Sequence, residues 1–261
     1  DGSAGAPSIT NTGDVNTGIL FPAADTVGIS AGGTEVLRIN SSSNMALGTD
    51  GTLTNSGGFS TLTINGSTGG QIAFHTGNVA KQYIFSSGTD LSIYNGVASG
   101  NLKFFTDSTE RLNIDAIGAV TMPLQPAFQA IPASNQNNIA IDSNVTVVFG
   151  TERFDKNADF ASNTFTAPVT GVYQLNAKLY MNTIDTAADY YEIQLRTSNK
   201  NYFSIIDPGG FSGDLVYFTL NVSVLADMDA SDTVFVAIRQ VGGTAQTDIT
   251  TESNFSGYLV A

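Results

Sequence analysis

The chain has 261 residues, a formal net charge of −13, one histidine, and neither cysteine nor tryptophan. Cysteine chemistry and zinc clusters are thereby excluded, and a Ser-His-Asp site has a single imidazole to draw on. With 23 acidic against 10 basic residues, the chain would repel a phosphate backbone or an anionic lipid surface, which sets nucleic acid and membrane insertion aside. Gly, Ser, Thr and Asn make up 103 of the 261 residues and charged residues only 13%, the palette of an extended β protein. No run approaches the roughly 20 apolar residues of a membrane-spanning helix, and residues 1–15 lack the basic-then-apolar layout of a signal peptide. Starting at Asp1 without Met, the chain reads as a fragment or processed piece. Without disulfides, its stability must come from burial or from oligomerisation.

Residues 1–123 form one composition regime. Short apolar alternations are separated by Gly, Asn and Ser clusters: Thr61–Asn65, Gln71–His75, Gln82–Phe85, Leu91–Asn95 and Leu102–Phe105. Asn65-Gly66 and Asn95-Gly96 carry the chemistry of hairpin turns, so they are expected to close β-hairpins. Thr34–Asn40 (TEVLRIN) recurs 75 residues later as Thr109–Asp115 (TERLNID), both fitting T-E-x-L-x-I-[N/D]. In each copy Leu and Ile fall two apart on one strand face, which must be covered by something. Hairpins this short bury little alone, so pairing with the same strands of neighbouring chains is the expected solution; a monomeric sandwich or solenoid is the alternative.

Asn16-Thr17-Gly18-Ile19, Gly33-Thr34-Glu35-Val36-Leu37-Arg38-Ile39 and Gly48-Thr49 follow one another in this region. This order resembles the "N-T-G-I … G-T-E-x-x-R-I … G-T" modules of bacteriophage tail-fibre and neck-fibre proteins. The likeness covers residues 13–49, and 102–122 more loosely. It implies a trimeric fibre shaft located on a virion, with other fibre or tail proteins as partners.

Residues 124–261 form the second regime, with longer strand-like runs at Val145–Phe149, Val172–Leu179, Tyr190–Leu195, Leu215–Val224 and Val234–Ile238. Turn signals at Asn157, Ser162-Asn163, Asp207-Pro208-Gly209-Gly210 and Gly242-Gly243 separate them. They predict an all-β domain of about eight to ten strands, suited to a two-sheet jelly roll. Five motifs occur in order: Pro126–Ala130 (PAFQA), Phe154-Asp155, Phe165–Tyr173 (F-x-x-P-x-x-G-x-Y), Asp232 before Val234, and Phe255–Leu259 (FSGYL). They resemble the globular head of the q-subunit of the first complement component, which shares a trimeric jelly roll with tumour necrosis factor. Ser162-Asn163 departs from the family's commoner Thr-Gly turn, and Ser231 stands in place of Gly. The resemblance implies a homotrimeric jelly-roll knob. Phe128, Phe149, Phe165, Tyr173, Phe255 and Tyr258 are its candidate packing residues, with Tyr173 and Tyr258 read either as spare aromatics for a three-fold axis or as ordinary core aromatics.

For chemistry, carboxylates remain. Asp227, Asp229 and Asp232 lie within six residues and are the candidate calcium ligands, against the reading that they are turn acids. Asp185 with Asp189, and Asp207 with Asp214, are further pairs. A glycosidase would need two carboxylates about 5 to 9 Å apart, which spacing in a sequence does not supply. His75, after Phe74, is read as a surface histidine or as an axial contact in a trimer. Tyr190, Tyr191, Tyr202, Phe203 and Phe211 are read as exposed aromatics near loops, against the reading that Tyr190 and Phe203 are inward strand residues. With Asp207 among their polar neighbours, they suit the C–H faces and hydroxyls of a sugar. The reading is a fibre fragment with a shaft at 1–123 and a non-catalytic knob at 124–261 that binds a host-cell surface glycan or other receptor. A structural trimerisation clamp or particle decoration, and a polysaccharide depolymerase using Asp pairs, are the alternatives.

Overall fold

Strands make up nearly all the regular structure of the computed structural model, which describes residues 1–42, 44–48, 62–66, 68–77 and 79–261. One short 3-10 turn at Pro208–Gly210 is the sole helical element among them. Two units result: Asp1–Phe105 with Leu112–Thr121, and Thr106–Arg111 with Met122–Ala261.

At the start of the first unit β1 (Gly2–Ser3) pairs with β2 (Ala6–Pro7). A six-stranded sheet follows in chain order: β3 (Ile9–Asn11), β4 (Asp14–Leu20), β5 (Thr26–Ala31), β6 (Thr34–Asn40), β7 (Met45–Gly48) and β8 (Leu62–Asn65). Next come three strands ordered β11-β10-β9, namely β9 (Gln71–Thr76), β10 (Val79–Ser87) and β11 (Asp90–Asn95). A last sheet joins β12 (Leu102–Thr106), β13 (Thr109–Ile114) and β14 (Val120–Thr121).

Gly32 and Gly33 connect β5 to β6 with φ of 58° and 80°, the two positive values a type I′ hairpin turn requires. Asp107 and Ser108, at 49° and 58°, connect β12 to β13 in the same way. Each copy of the T-E-x-L-x-I repeat therefore follows a two-residue turn and forms a strand, β6 and β13. The two Asn-Gly steps do not make hairpins. β8 ends at Asn65 after pairing parallel to β7, and β11 ends at Asn95 on the edge of its sheet. The Asn95 amide turns on its own loop instead, accepting from the Val97 N–H at 3.1 Å and donating to the Asn101 carbonyl at 2.8 Å. Among the described apolar side chains before residue 124, only Pro7, Leu20 and Ala46 are buried.

The second unit is a jelly roll of two facing sheets. Its strands are β15 (Ala127–Ile131), β16 (Asn144–Thr146), β17 (Thr151–Asp155), β18 (Phe160–Ala161), β19 (Thr164–Thr166), β20 (Gly171–Ile184), β21 (Ala188–Thr197), β22 (Asn201–Ile206), β23 (Leu215–Met228), β24 (Thr233–Gly242), β25 (Asp248–Ile249) and β26 (Asn254–Leu259). One sheet runs β17-β15-β26-β20-β23 with β25 against β20; the other runs β18-β19-β24-β21-β22 with β16 against β24. Tyr173, Leu175, Ala177, Leu179 and Met181 alternate inward along β20. They meet Tyr191, Ile193 and Leu195 of β21 and Val234, Val236 and Ile238 of β24 in one continuous core.

Phe128 lies at the aromatic centre, stacked on Phe165 at 4.7 Å and on Phe160 at 5.1 Å, with the edge of Phe255 at 4.9 Å. Five of the candidate packing residues, Phe128, Phe149, Phe165, Tyr173 and Phe255, are at most 3% exposed. They fill the protomer's own interior, because two facing sheets leave a layer about 10 Å thick to be packed, and so are not spare aromatics for an axis. Tyr258 differs: it is 49% exposed on the outer face, between Ala127 and Gln174. Gly257 belongs to the same packing, since a Cβ there would lie 2.8 Å from Leu175 and 2.9 Å from Phe128. The Tyr173 hydroxyl donates to the Val169 carbonyl at 2.7 Å, so this buried ring keeps a polar partner.

Candidate functional site

The odd positions of β21, Tyr191, Ile193 and Leu195, are fully buried, which turns Tyr190, Glu192, Gln194 and Arg196 onto the outer face, where Tyr190, Glu192 and Arg196 are half-buried and Gln194 is covered at 7% exposure. The neighbouring edge strand β22 brings Phe203 opposite Gln194 and Ile205 opposite Glu192. Phe203 is 61% and Ile205 60% exposed, forming an apolar ridge beside an amide and a carboxylate. The Gln194 amide is fixed by donating to Glu192 Oε1 and, at 3.1 Å, to Asn144 Oδ1 on β16. The Arg196 guanidinium sits 5.6 Å from the centre of the Phe235 ring, a cation–π contact that holds its charge over β24, on the side of β21 away from the ridge.

The structure brings only part of the expected aromatic set together. Tyr190 and Phe203 share this outer face. Tyr202 turns the other way, packs against the core and carries the Lys200 ammonium 5.3 Å above its ring. Phe211 leans on Phe218 at 6.3 Å, and the Asp207 carboxylate accepts from the Gly209 N–H at 2.9 Å, capping the 3-10 turn. Tyr191, expected exposed, is buried, and its hydroxyl accepts the Asp185 N–H at 2.8 Å. Glu192, Gln194 and Ile205 were missed by the search for loop aromatics. The alternation of Tyr190–Arg196 marks the two polar residues as an outward row.

The remaining carboxylates are engaged in holding loops. Asp185, 3% exposed, accepts backbone N–H groups of Ala245, Thr244 and Ala187, two of them at 2.8 Å. These donors hold its pKa at about 2, below the usual carboxylate range, against the opposing effect of burial. Asp214 accepts from the Thr186 N–H and hydroxyl at 2.8 and 2.7 Å. Of the calcium candidates, Asp232 Oδ2 accepts from the Asn199 amide and the Asp229 N–H, both at 2.9 Å. Asp229 Oδ1 accepts from the Thr170 hydroxyl at 3.4 Å, and Asp227 is exposed on β23. The Asp229 and Asp232 side chains hold a turn, and among the described residues no group of three or more His, Asp or Glu is placed to hold a metal ion. His75 is exposed on β9, opposite Ala80.

The family described as the C1q domain matches residues 127–260. Among solved structures, the chain is similar to the globular domain of a zebrafish complement 1qA protein. The identity is 18% over 52% of this chain and 98% of that one, with a TM-score of 0.39. It is also similar to murine APRIL, with 9% identity over 52% of this chain and 99% of that one and a TM-score of 0.39. No curated protein sequence matches. No helix among the described residues is long and apolar enough to cross a membrane.

Proposed function

Through residues 127–260 the chain belongs to the C1q domain family, whose members are trimeric β-sandwiches, generally non-enzymatic and typically extracellular, and from that premise we propose a homotrimeric, non-catalytic fibre protein of a virion. Its knob contacts a receptor on the host-cell surface, with a glycan as the ligand class. The observation that carries this reading is the exposed Phe203–Ile205 ridge beside Glu192. A sugar ring offers a C–H face to an apolar ridge and hydroxyls to a carboxylate. The front unit supports the fibre reading through its repeated turn-and-strand modules, and the partners it implies are other fibre or tail proteins. Affinity comes from three copies of a weak site acting together.

The test uses the fluorescently labelled full chain on bacteria with and without surface polysaccharide. We expect labelling that is lost when the polysaccharide is stripped, and that Phe203→Ala weakens by about tenfold or more, as removal of a central aromatic does, with an unchanged melting temperature. A well-folded trimer that labels no strain overturns the receptor reading.

One observation favours a second reading, the structural clamp. β22 and β23 are edge strands of the two sheets, and Val216 and Tyr217 on β23 are 67% and 60% exposed, as Phe203 and Ile205 are on β22. Exposed apolar side chains on both edges suit coverage by a neighbouring subunit. On that reading Phe203→Ala weakens the trimer, and neither it nor the unaltered chain labels any strain.

A further inference from the structure

The first unit carries an apolar face that stays largely open within that unit, its β8 end lining a groove with Ile72, Ile84 and Leu91. The strand registers set Ile9, Ile19, Ile29, Leu37, Leu47 and Ile64 in one row across all six strands β3 to β8. A second row beside it holds Val27, Ile39, Met45 and Leu62. Directly paired residues share a face, and at about 4.8 Å between strands the first row runs roughly 24 Å. Eight of the ten side chains are between 36% and 57% exposed, and Leu37 and Ile64 are half-buried.

Neither row contains a charge. The Glu35–Arg38 ion pair is on the opposite face, where Arg38 stands between Gly28 and Ala46 and a Cβ on Gly28 would lie 3.3 Å from Glu35 Oε1. The thirteen residues between β7 and β8 lie outside the described residues and contain two large apolar side chains, Leu53 and Phe59. The open apolar area is on the order of 700 Å², larger than the few hundred Å² that monomers leave exposed and close to one partner's share of a standard interface.

We propose that this face is covered by the same face of the two other copies of the chain, so that the ladder becomes the shared interior of the front unit. The proposal rests on the trimer reading above. Three chains joined through a trimeric knob hold their front units at a local concentration on the order of millimolar, which makes a second copy the favoured occupant. Uncharged, flat aliphatic faces meet without like-charge repulsion. Their burial supplies the core that the protomer lacks.

The absence of cysteine gives a clean test in the full chain. Ile29→Cys and Leu47→Cys place a thiol on the ladder, whereas Thr10→Cys places one on the other face, where Thr10 is exposed opposite Gly18. In each variant the mass is read by light scattering and the rate of maleimide labelling is then measured. We expect a three-chain mass and labelling of the ladder thiols about tenfold or more slower than at Thr10→Cys, since thiol reactivity follows exposure. A three-chain mass with equal labelling rates overturns this inference alone and leaves the face open to another partner. A single-chain mass overturns the trimer reading and this inference with it.

Discussion

Ile29 and Phe128 are both central residues of alternating β-strands, yet Ile29 is 38% exposed and Phe128 1%. The difference lies in layering. In the knob a second sheet faces the first, so every inward side chain meets another, whereas the described apolar side chains of the first unit's six-stranded sheet stay mostly exposed. Alternation is therefore enough to make a strand and insufficient to make a core.

The largest expected effect comes from separating the two regions. Residues 124–261 alone should melt in one cooperative transition, and residues 1–123 alone should show none at micromolar concentration, as followed by circular dichroism. A cooperative transition in 1–123 would break the contrast. Within the knob, Phe128→Ala should cost about 4 kcal/mol in urea unfolding, as expected for a large aromatic removed from a close-packed core. A loss below about 1 kcal/mol would mean the aromatic centre is not the packing focus.

Asp185→Ala should cost about 3 kcal/mol, because it strips a charged acceptor from several backbone donors at once. Its pH dependence has a definite sign. A carboxylate held at about 2 stabilises the fold fully above its ordinary pKa of about 3.9 and loses that contribution as pH falls through about 2. Thermal melts between pH 5 and 2 should therefore slope less steeply in the Asp185→Ala protein; an unchanged slope would assign the acid limb to other groups. The smallest effect is expected in the first unit, where Glu35→Gln breaks a part-exposed ion pair and should cost no more than about 1 kcal/mol. A larger loss would show that this surface pair carries structural weight the knob does not need.

The jelly roll was legible because its signals are local and repeated. The stretch Val172–Leu179 alternates cleanly, and its inward residues Tyr173, Leu175, Ala177 and Leu179 are buried as that alternation requires. The outer face of β21 and β22 was half legible: Phe203 stands out as an aromatic, but its neighbours Glu192 and Gln194 are brought to it by a cross-strand register that no short motif encodes. Tyr191 was misjudged because two adjacent tyrosines on a strand must point to opposite faces, and the sequence does not say which faces in. In the first unit the Asn-Gly signals misled, since an Asn side chain bonds a loop backbone as readily as it turns a hairpin.

In the knob, β26 lies in the middle of its sheet, hydrogen-bonded to β15 on one side and β20 on the other. The first strand of the sandwich thus waits for a partner made more than a hundred residues later, and the sheet stays split until Asn254–Leu259 has left the ribosome. Translation that stops short of that strand yields a chain whose core residues Phe128 and Leu175 have no roof, a natural target for proteolysis. The placement of one strand makes closure of the sheet wait for the last strand of its own domain.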